Sequence, residues 1–230
     1  LAREIDLRMQ DRLDYIQLSP TSILDLGAGT GDSRAGLASR YPGSQQLQLD
    51  AVHSLLPPPP RSTGWRGGLK AFFSSTMSQT LPLSICGDAR QLPLPSLTQG
   101  LVWSNMLLPW VDSISDVFSE SHRVLETNGL FMFSTLGPDT LLGLNNSFAD
   151  GTPHSHSYPD MHDIGDLLSS AGFVDPVVDM EMISVQYSSL PRFLTDLRKA
   201  GATNAHRARK KGLMGKGIWA AFEQHWANEA

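Results

Sequence analysis

The spacing of apolar residues predicts helices and strands in alternation along the first 136 residues. The first helix, over residues 3–18, carries an apolar stripe at spacings of four, four and three: Ile5, Met9, Leu13 and Ile16. Short apolar runs follow, and runs without polar alternation are typical of strands buried on both faces. They predict five strands, at 23–26, 45–50, 83–86, 101–104 and 129–136.

Helices are predicted between these strands. One covers 32–41, a second lies around 69–77, and a third is capped by Asp112 and closed by Asn128-Gly129. Parallel strands need such crossover connections, so the alternation favours a parallel sheet. We expect an α/β fold with a doubly wound, mostly parallel sheet and helices on both faces.

A glycine turn directly follows the first strand. Gly27, Gly29 and Gly31 stand at alternate positions, and glycine lets a ligand approach the backbone closely. Ligands of open α/β sheets bind at the carboxyl ends of the strands. The dinucleotide fingerprint G-x-G-x-x-G does not fit, because Asp32 stands where its last glycine is required. The acidic Asp25 precedes the first glycine by two residues.

Carboxylates also end the second and third strands. Asp50 closes the second strand, where an acid can accept both hydrogen bonds of a ribose diol. Asp88 follows the third strand, where it can accept from an adenine amino group. A helix cap or loop role for Asp50, and a plain turn role for Asp88, remain open alternatives.

The composition suits one globular domain. The 230 residues are 40% hydrophobic and 18% charged, and no apolar stretch is long enough to cross a membrane. The single cysteine, Cys86, excludes an internal disulfide and is compatible with a reducing compartment, so we expect a cytoplasmic protein. His154 and His156 lack a matching acidic cluster, and we expect no metal site.

Charge is distributed unevenly along the chain. The net charge is −5, yet residues 192–216 hold eight basic residues and one acid. This asymmetry predicts a partner with an acidic surface, the alternative being a solvated helix face. The candidate contacts are Arg207, Arg209, Lys210 and Lys211.

The second half of the chain mixes helices with one extended segment. A helix ends at Gly172, and residues 173–187 are predicted to form a strand with Met180 and Met182 in the core. A further helix ends at Gly201, and the basic remainder is predicted to be helical.

Several motifs resemble those of the class I S-adenosylmethionine (SAM)-dependent methyltransferases. Their carriers are Leu-Asp-Leu-Gly-Ala-Gly-Thr-Gly at 24–31, Cys-Gly-Asp-Ala at 86–89 and Val-Trp-Ser-Asn at 102–105. Segments 133–141, 160–168 and 196–205 extend the resemblance to the malonyl-acyl-carrier-protein O-methyltransferases of biotin synthesis. The resemblance implies SAM as cofactor, contacted by Asp25, Gly27, Ala28, Gly29, Gly31, Asp50, Asp88, Ala89 and Ser104.

The resemblance also implies the reaction and its partner. The acceptor is the free carboxylate of malonyl-acyl carrier protein, which is already ionised at neutral pH and needs no general base. His154 and Arg198 are the acceptor-side candidates, Arg198 because its fork suits a carboxylate. We expect one domain over 1–230, with a SAM-binding core at 1–136 and an acceptor side at 137–230.

Three alternatives stay open. The first is a methyltransferase-like hydroxylase or assembly factor for respiratory complex I, a branch that shares some of these motifs. The second is a SAM-binding protein with little activity. A nucleic-acid methyltransferase is disfavoured by the acidic net charge and by Asn105-Met106-Leu107-Leu108, where an Asn/Asp-Pro-Pro-Tyr motif is required. The family's last edge strand is expected to be absent, and the prolines at 57–60 interrupt a stretch that is helical in many members.

Overall fold

The computed structural model describes residues 1–57, 83–148, 150–206 and 209–229. It divides into two compact units. The sheet unit comprises Leu1–Thr135 and Asp166–Pro176, and the helical unit comprises Leu136–Gly165 and Val177–Ala230. The helix predicted around 69–77 lies outside the described residues.

The sheet unit is built on five parallel strands in the order β3-β2-β1-β4-β5. They are β1 Ser22–Leu26, β2 Gln45–Asp50, β3 Leu83–Cys86, β4 Gln99–Asn105 and β5 Leu125–Ser134. The predicted doubly wound, parallel α/β sheet is confirmed. The chain order reverses beside β1, so the carboxyl end of β1 lies at the switch point where α/β sheets bind ligands.

The described helices are α1 Ala2–Arg12, α2 Arg34–Arg40, α3 Ile114–Val124, α4 Leu142–Asn146, α5 Met161–Ser170, α6 Leu190–Lys199 and α7 Lys216–Glu229. Short 3-10 turns cover Leu13–Tyr15 and Leu108–Trp110. No helix in these described ranges is long and apolar enough to cross a bilayer.

The core of the sheet unit follows from the apolar runs. Trp103 of β4 is fully buried and belongs to one cluster with Met9 and Leu13, the middle of the predicted α1 stripe. Ile5 packs against this cluster, whereas Ile16 is 37% exposed beyond the end of the helix. The stripe is therefore real but shorter than predicted.

The boundary between α3 and β5 was predicted wrongly. The helix ends at Val124, and Asn128 and Gly129 lie inside β5. A Cβ on Gly129 would stand 3.1 Å from the carbonyl oxygen of Gln99, so this glycine permits close approach of two strands instead of ending a helix. The cap is Ser113, whose Oγ accepts from the Asp116 N–H at 3.4 Å, and not Asp112.

The extended segment of the second half was also predicted wrongly. Residues 173–187 form no strand, and Met180 and Met182 are 61% and 71% exposed instead of buried. Alternation specifies a strand only where a neighbouring strand supplies backbone partners. Residues 202–206 and 209–215 are not helical either, because Gly201, Gly212 and Gly215 interrupt this stretch before α7.

The helical unit has an aromatic core of its own. Leu190, Phe193 and Phe222 are buried at its centre. Around them pack Leu141, Leu144, Phe148, Tyr187, Leu194, Leu197, Trp219 and Trp226.

Candidate functional site

The glycine turn is tied to the end of β2. The N–H groups of Gly27 and Ala28 both donate to the carbonyl oxygen of Leu49, at 2.8 and 3.1 Å. The N–H of Gly29 donates to Asp50 Oδ2 at 2.8 Å. The first residues after β1 are therefore held in place by the last two residues of β2.

Only one glycine of this turn faces open space. A Cβ on Gly27 would meet Leu107 at 2.9 Å, and one on Gly31 would meet Gln48 Nε2 at 2.7 Å. Among the residues that the structure describes, a Cβ on Gly29 would meet nothing within 4 Å. Gly27 and Gly31 are required by packing, whereas Gly29 leaves room for a ligand against the backbone.

Asp50 serves the turn and keeps capacity for a ligand. Its Oδ1 accepts from the N–H of Val52 at 2.7 Å, and its Oδ2 accepts from Gly29. A carboxylate has about four acceptor positions, so each oxygen retains one. A bond to a ribose diol is compatible with this geometry and stays a prediction.

Asp25 is buried beside Gln48, its register partner on β2. Burial raises the pKa of Asp25 to about 7, and the Gln48 side chain opposes this rise. Within the described residues, Asp25 Oδ2 and both polar side-chain atoms of Gln48 lack a partner at ordinary hydrogen-bond distance. The strand that leads into the turn therefore carries an acid that burial makes harder to ionise than an exposed aspartate.

Asp88 forms a forked ion pair that the sequence did not reveal. Arg90 Nε lies 3.1 Å from both carboxylate oxygens, and Nη2 lies 2.8 Å from Oδ2. Hydrogen bonds from the Arg90 side chain and its N–H lower the pKa of Asp88 to about 2. Asp88 is thus a charged acceptor whose orientation Arg90 sets, and neighbouring Ala89 is buried.

The carboxyl end of β4 is strained. Met106 adopts a left-handed φ of +61°, and its N–H donates to both the carbonyl oxygen and Oγ of Ser134, at 3.2 and 3.0 Å. Ser134 Oγ in turn donates to Asn105 Oδ1 at 2.8 Å. Strain of this kind in a non-glycine residue persists where the surroundings fix it, as they do at functional sites. Ser104, just before, is fully buried.

A buried carboxylate that sequence reasoning missed links α1 to the sheet. Asp6 is 3% exposed and accepts from Gln10 Nε2, Ser33 Oγ and Trp103 Nε1, at 2.6, 2.5 and 3.2 Å. It holds Ser33, two residues after the glycine turn. The only sequence signal is a charged residue next to the apolar stripe of α1.

The helical unit contains a histidine–carboxylate pair. His154 Nε2 and Asp150 Oδ1 are 2.9 Å apart, and hydrogen bonding to His154 lowers the pKa of Asp150 to about 2. The His154 ring stacks on Phe148, with ring centroids 3.6 Å apart. Pro153, His154, Asn204, Arg209, Lys210, Gly212 and Met214 line a pocket of about 220 Å³.

The two acceptor-side candidates are not brought together. Arg198 is exposed at the end of α6 and is not among the residues that line the pocket of His154. Arg209 and Lys210 line it and are themselves exposed, as is Lys211 next to them, and Arg207 lies outside the described residues. No group of three potential metal ligands occurs within the described ranges.

Comparison with known proteins decides the family. Residues 24–133 match the Methyltransf_11 family, a methyltransferase domain. The malonyl-[acyl-carrier protein] O-methyltransferase of Gallionella capsiferriformans is 41% identical over 98% of this chain and 76% of its own. That of Laribacter hongkongensis is 41% identical over 97% and 74%. The chain belongs to the malonyl-[acyl-carrier protein] O-methyltransferase family.

A solved structure supports the fold of this family member. The YcgJ protein of Bacillus subtilis has a TM-score of 0.58 and 14% identity, and the alignment covers 86% of this chain and 78% of that one. The matching domain family and the two relatives confirm the predicted resemblance to class I methyltransferases, whereas the roles predicted for individual residues remain predictions.

Proposed function

We propose that this protein transfers the methyl group of SAM to the free carboxylate of a malonyl group carried by acyl carrier protein, a step of biotin synthesis. The observation that supports this most is the identity of about 40% with malonyl-[acyl-carrier protein] O-methyltransferases along nearly the whole chain. None of the described features favours a hydroxylase over this reaction.

The residues around the glycine turn fit the cofactor. Gly29 leaves open space at the backbone, Asp50 retains acceptor positions beside it, and Asp88 offers a charged acceptor after β3. SAM, when bound, supplies a methyl group activated by a positively charged sulfur. Gly29 and Ala28 would contact its amino-acid part, Asp50 its ribose, and Asp88 with Ala89 its adenine.

The proposed reaction needs no general acid or general base. One methyl–oxygen bond forms as one methyl–sulfur bond breaks, so no proton is transferred. A malonyl carboxylate is ionised at neutral pH and is already a nucleophile. The protein's task is to hold the carboxylate in line with the methyl group and to exclude water. This explains why no general base needs to lie near Gly29.

We further propose that Arg209, Lys210 and Lys211 dock the acidic carrier protein. These basic residues follow one another in the chain, and all three are exposed. Complementary charge of this kind accelerates association, and salt screens it.

We also propose that the protein works in a reducing, cytoplasmic compartment, because its single cysteine is free and exposed.

Mass spectrometry of the carrier protein tests the reaction. Incubation with SAM should add one methyl group to malonyl-acyl carrier protein and none to acetyl-acyl carrier protein, which lacks the carboxylate. Binding of SAM in calorimetry without any mass gain would contradict the proposed transfer.

The docking surface is tested by Lys211→Glu, which should weaken carrier-protein binding and flatten the salt dependence of that binding. Unchanged affinity at low salt would refute the docking surface.

A further inference from the structure

The pocket of the helical unit has an unusual combination of walls. Two cations, Arg209 and Lys210, share it with His154 and Asn204, and its described lining includes no acid. Pro153 and Met214 supply apolar surface. Its volume of about 220 Å³ is below the size of typical drug-sized ligand pockets, so it fits a small group or the end of a longer molecule.

His154 is fixed in this pocket from three sides. Phe148 stacks on its ring and is itself stacked on buried Phe222, with centroids 4.3 Å apart. Asp150 engages Nε2 at 2.9 Å, and Asn145 Oδ1 accepts from the His154 N–H at 2.9 Å. The stacking and the Asp150 contact fix the ring, and the Asn145 bond fixes the backbone that carries it, so the ring presents a preformed wall.

The loop that carries the cations is anchored to the same wall. Asn204 Nδ2 donates to the carbonyl oxygen of Pro153 at 2.6 Å, and Asn204 Oδ1 accepts from the His206 N–H at 3.0 Å. Arg209 Nη1 donates to the carbonyl oxygen of His206 at 3.3 Å. Counting partners among the described residues only, this bond occupies one of the five donors of the guanidinium and leaves four for a ligand.

We propose that this pocket binds an oxyanion, a carboxylate or a phosphodiester, held by Arg209, Lys210 and Asn204 against His154. An arginine fork matches the two oxygens of either group, and a positively charged pocket without an acid in its described lining favours an anion. The identification of its natural ligand rests on the proposed function: the malonyl arm of a carrier protein ends in a carboxylate and contains a phosphodiester.

The structure favours Arg209 over Arg198 as the arginine that holds the anion. The sequence suggested Arg198 because its fork suits a carboxylate, but the fork of Arg209 lies in a cavity beside a second cation. Arg209 and Lys210 are both exposed at the mouth of this pocket, so both can reach an incoming anion, and the second positive charge adds to the attraction.

The pocket can be tested with small anions on the whole chain, without SAM or carrier protein. The probes are malonate, inorganic phosphate and neutral malonamide, and the readout is the imidazole NMR signal of His154, assigned with His154→Gln among the seven histidines. Malonate, phosphate or both should shift this signal saturably, whereas malonamide should not. A larger effect of malonate would indicate the carboxylate as ligand, and a larger effect of phosphate the phosphodiester.

Variants matched in charge separate a pocket from a basic surface. Arg209→Gln should weaken anion binding about tenfold, since it removes a charge-assisted hydrogen bond, while Arg209→Lys should restore part of it. Lys199→Gln removes the same charge from an exposed position outside the pocket lining and should leave anion binding unchanged. Equal weakening by Arg209→Gln and Lys199→Gln, or no saturable shift in the wild type, would overturn the pocket. Methyl transfer is scored separately: its failure with anion binding intact refutes the proposed function alone.

Discussion

The sheet unit and the helical unit prepare their candidate sites by different means. In the sheet unit, backbone geometry makes the site: a glycine turn bound to Leu49 and Asp50, with open space at Gly29. In the helical unit, side chains make it, because a stack of aromatic rings holds His154 and a loop carries Arg209. A cofactor shared by a whole fold class suits the first solution, and an acceptor that differs between relatives suits the second.

Removal of a buried aromatic ring should reduce stability more than any other change proposed here, in either unit. Only the removal in the helical unit should affect the surroundings of His154. Phe222→Ala and Phe118→Ala each delete a fully buried ring and should lower the free energy of unfolding by about 3–5 kcal/mol. Phe222→Ala also removes the ring behind Phe148 and should shift the His154 NMR signal. Urea unfolding and histidine NMR measure both effects. If Phe118→Ala shifted His154 as strongly, the two units could not be treated as separate.

The dependence of stability on pH tests the buried pair of Asp25 and Gln48 before the glycine turn. Its pKa rises from 3.8 unfolded to about 7 folded, so the folded state binds the proton more tightly. Stability from this group is full below pH 4 and is lost as the pH rises towards 7, by ~2–4 kcal/mol. Asp25→Asn should therefore gain stability over the wild type at pH 8 and not at pH 4. Urea unfolding at both values measures this, with exposed Asp11→Asn as control; a pH-independent difference would contradict the raised pKa.

The buried carboxylate of Asp6 should contribute more to stability than the exposed carboxylate of Asp11 on the same helix. Asp6→Ala leaves Ser33 Oγ and Trp103 Nε1 without their acceptor and should lower the free energy of unfolding by about 2–3 kcal/mol. Asp11→Ala, on the exposed side of the same helix, should change it by less than ~0.5 kcal/mol. Equal losses in chemical denaturation would show that the network adds nothing.

A methyl group in the open space at Gly29 should harm binding more than folding. Gly29→Ala should weaken SAM binding ~10- to 100-fold, because the added carbon occupies the ligand's space. Gly43→Ala is the matched control, since Gly43 also has a positive φ and open surroundings but lies outside the turn. Both substitutions should cost about 1 kcal/mol of stability from left-handed strain. Calorimetric titration with SAM measures affinity; equal affinity in both variants would exclude Gly29 from the cofactor site.

The sequence predicted the sheet unit well because its signals are local. The strand β2 has the predicted bounds, β3 does too, and the glycines that follow β1 adopt positive φ. An apolar run of strand length is buried wherever a parallel sheet forms, so its own composition suffices to find it. The family followed from the same local motifs.

Prediction failed where a residue's role depends on a distant partner. The Asn128-Gly129 pair predicts a helix end, because nothing in the sequence shows that Gln99 packs against Gly129. Met180 and Met182 were assigned to a core strand that has no neighbouring strand. The fork of Arg90 on Asp88 is local, yet the motif gave no reason to look for it.

What the sequence determined by itself is the order of the five strands of the sheet, the glycine turn and the family, because apolar runs and glycine spacing are properties of the chain. What only the tertiary structure decided is which polar groups meet. The hydrogen bond between Asp6 and Trp103 joins residues 97 positions apart in the chain, and the bond between Pro153 and Asn204 joins residues 51 positions apart. Contacts of that separation depend on how the elements pack, and no local pattern records them. The anion pocket beside His154 exists for the same reason.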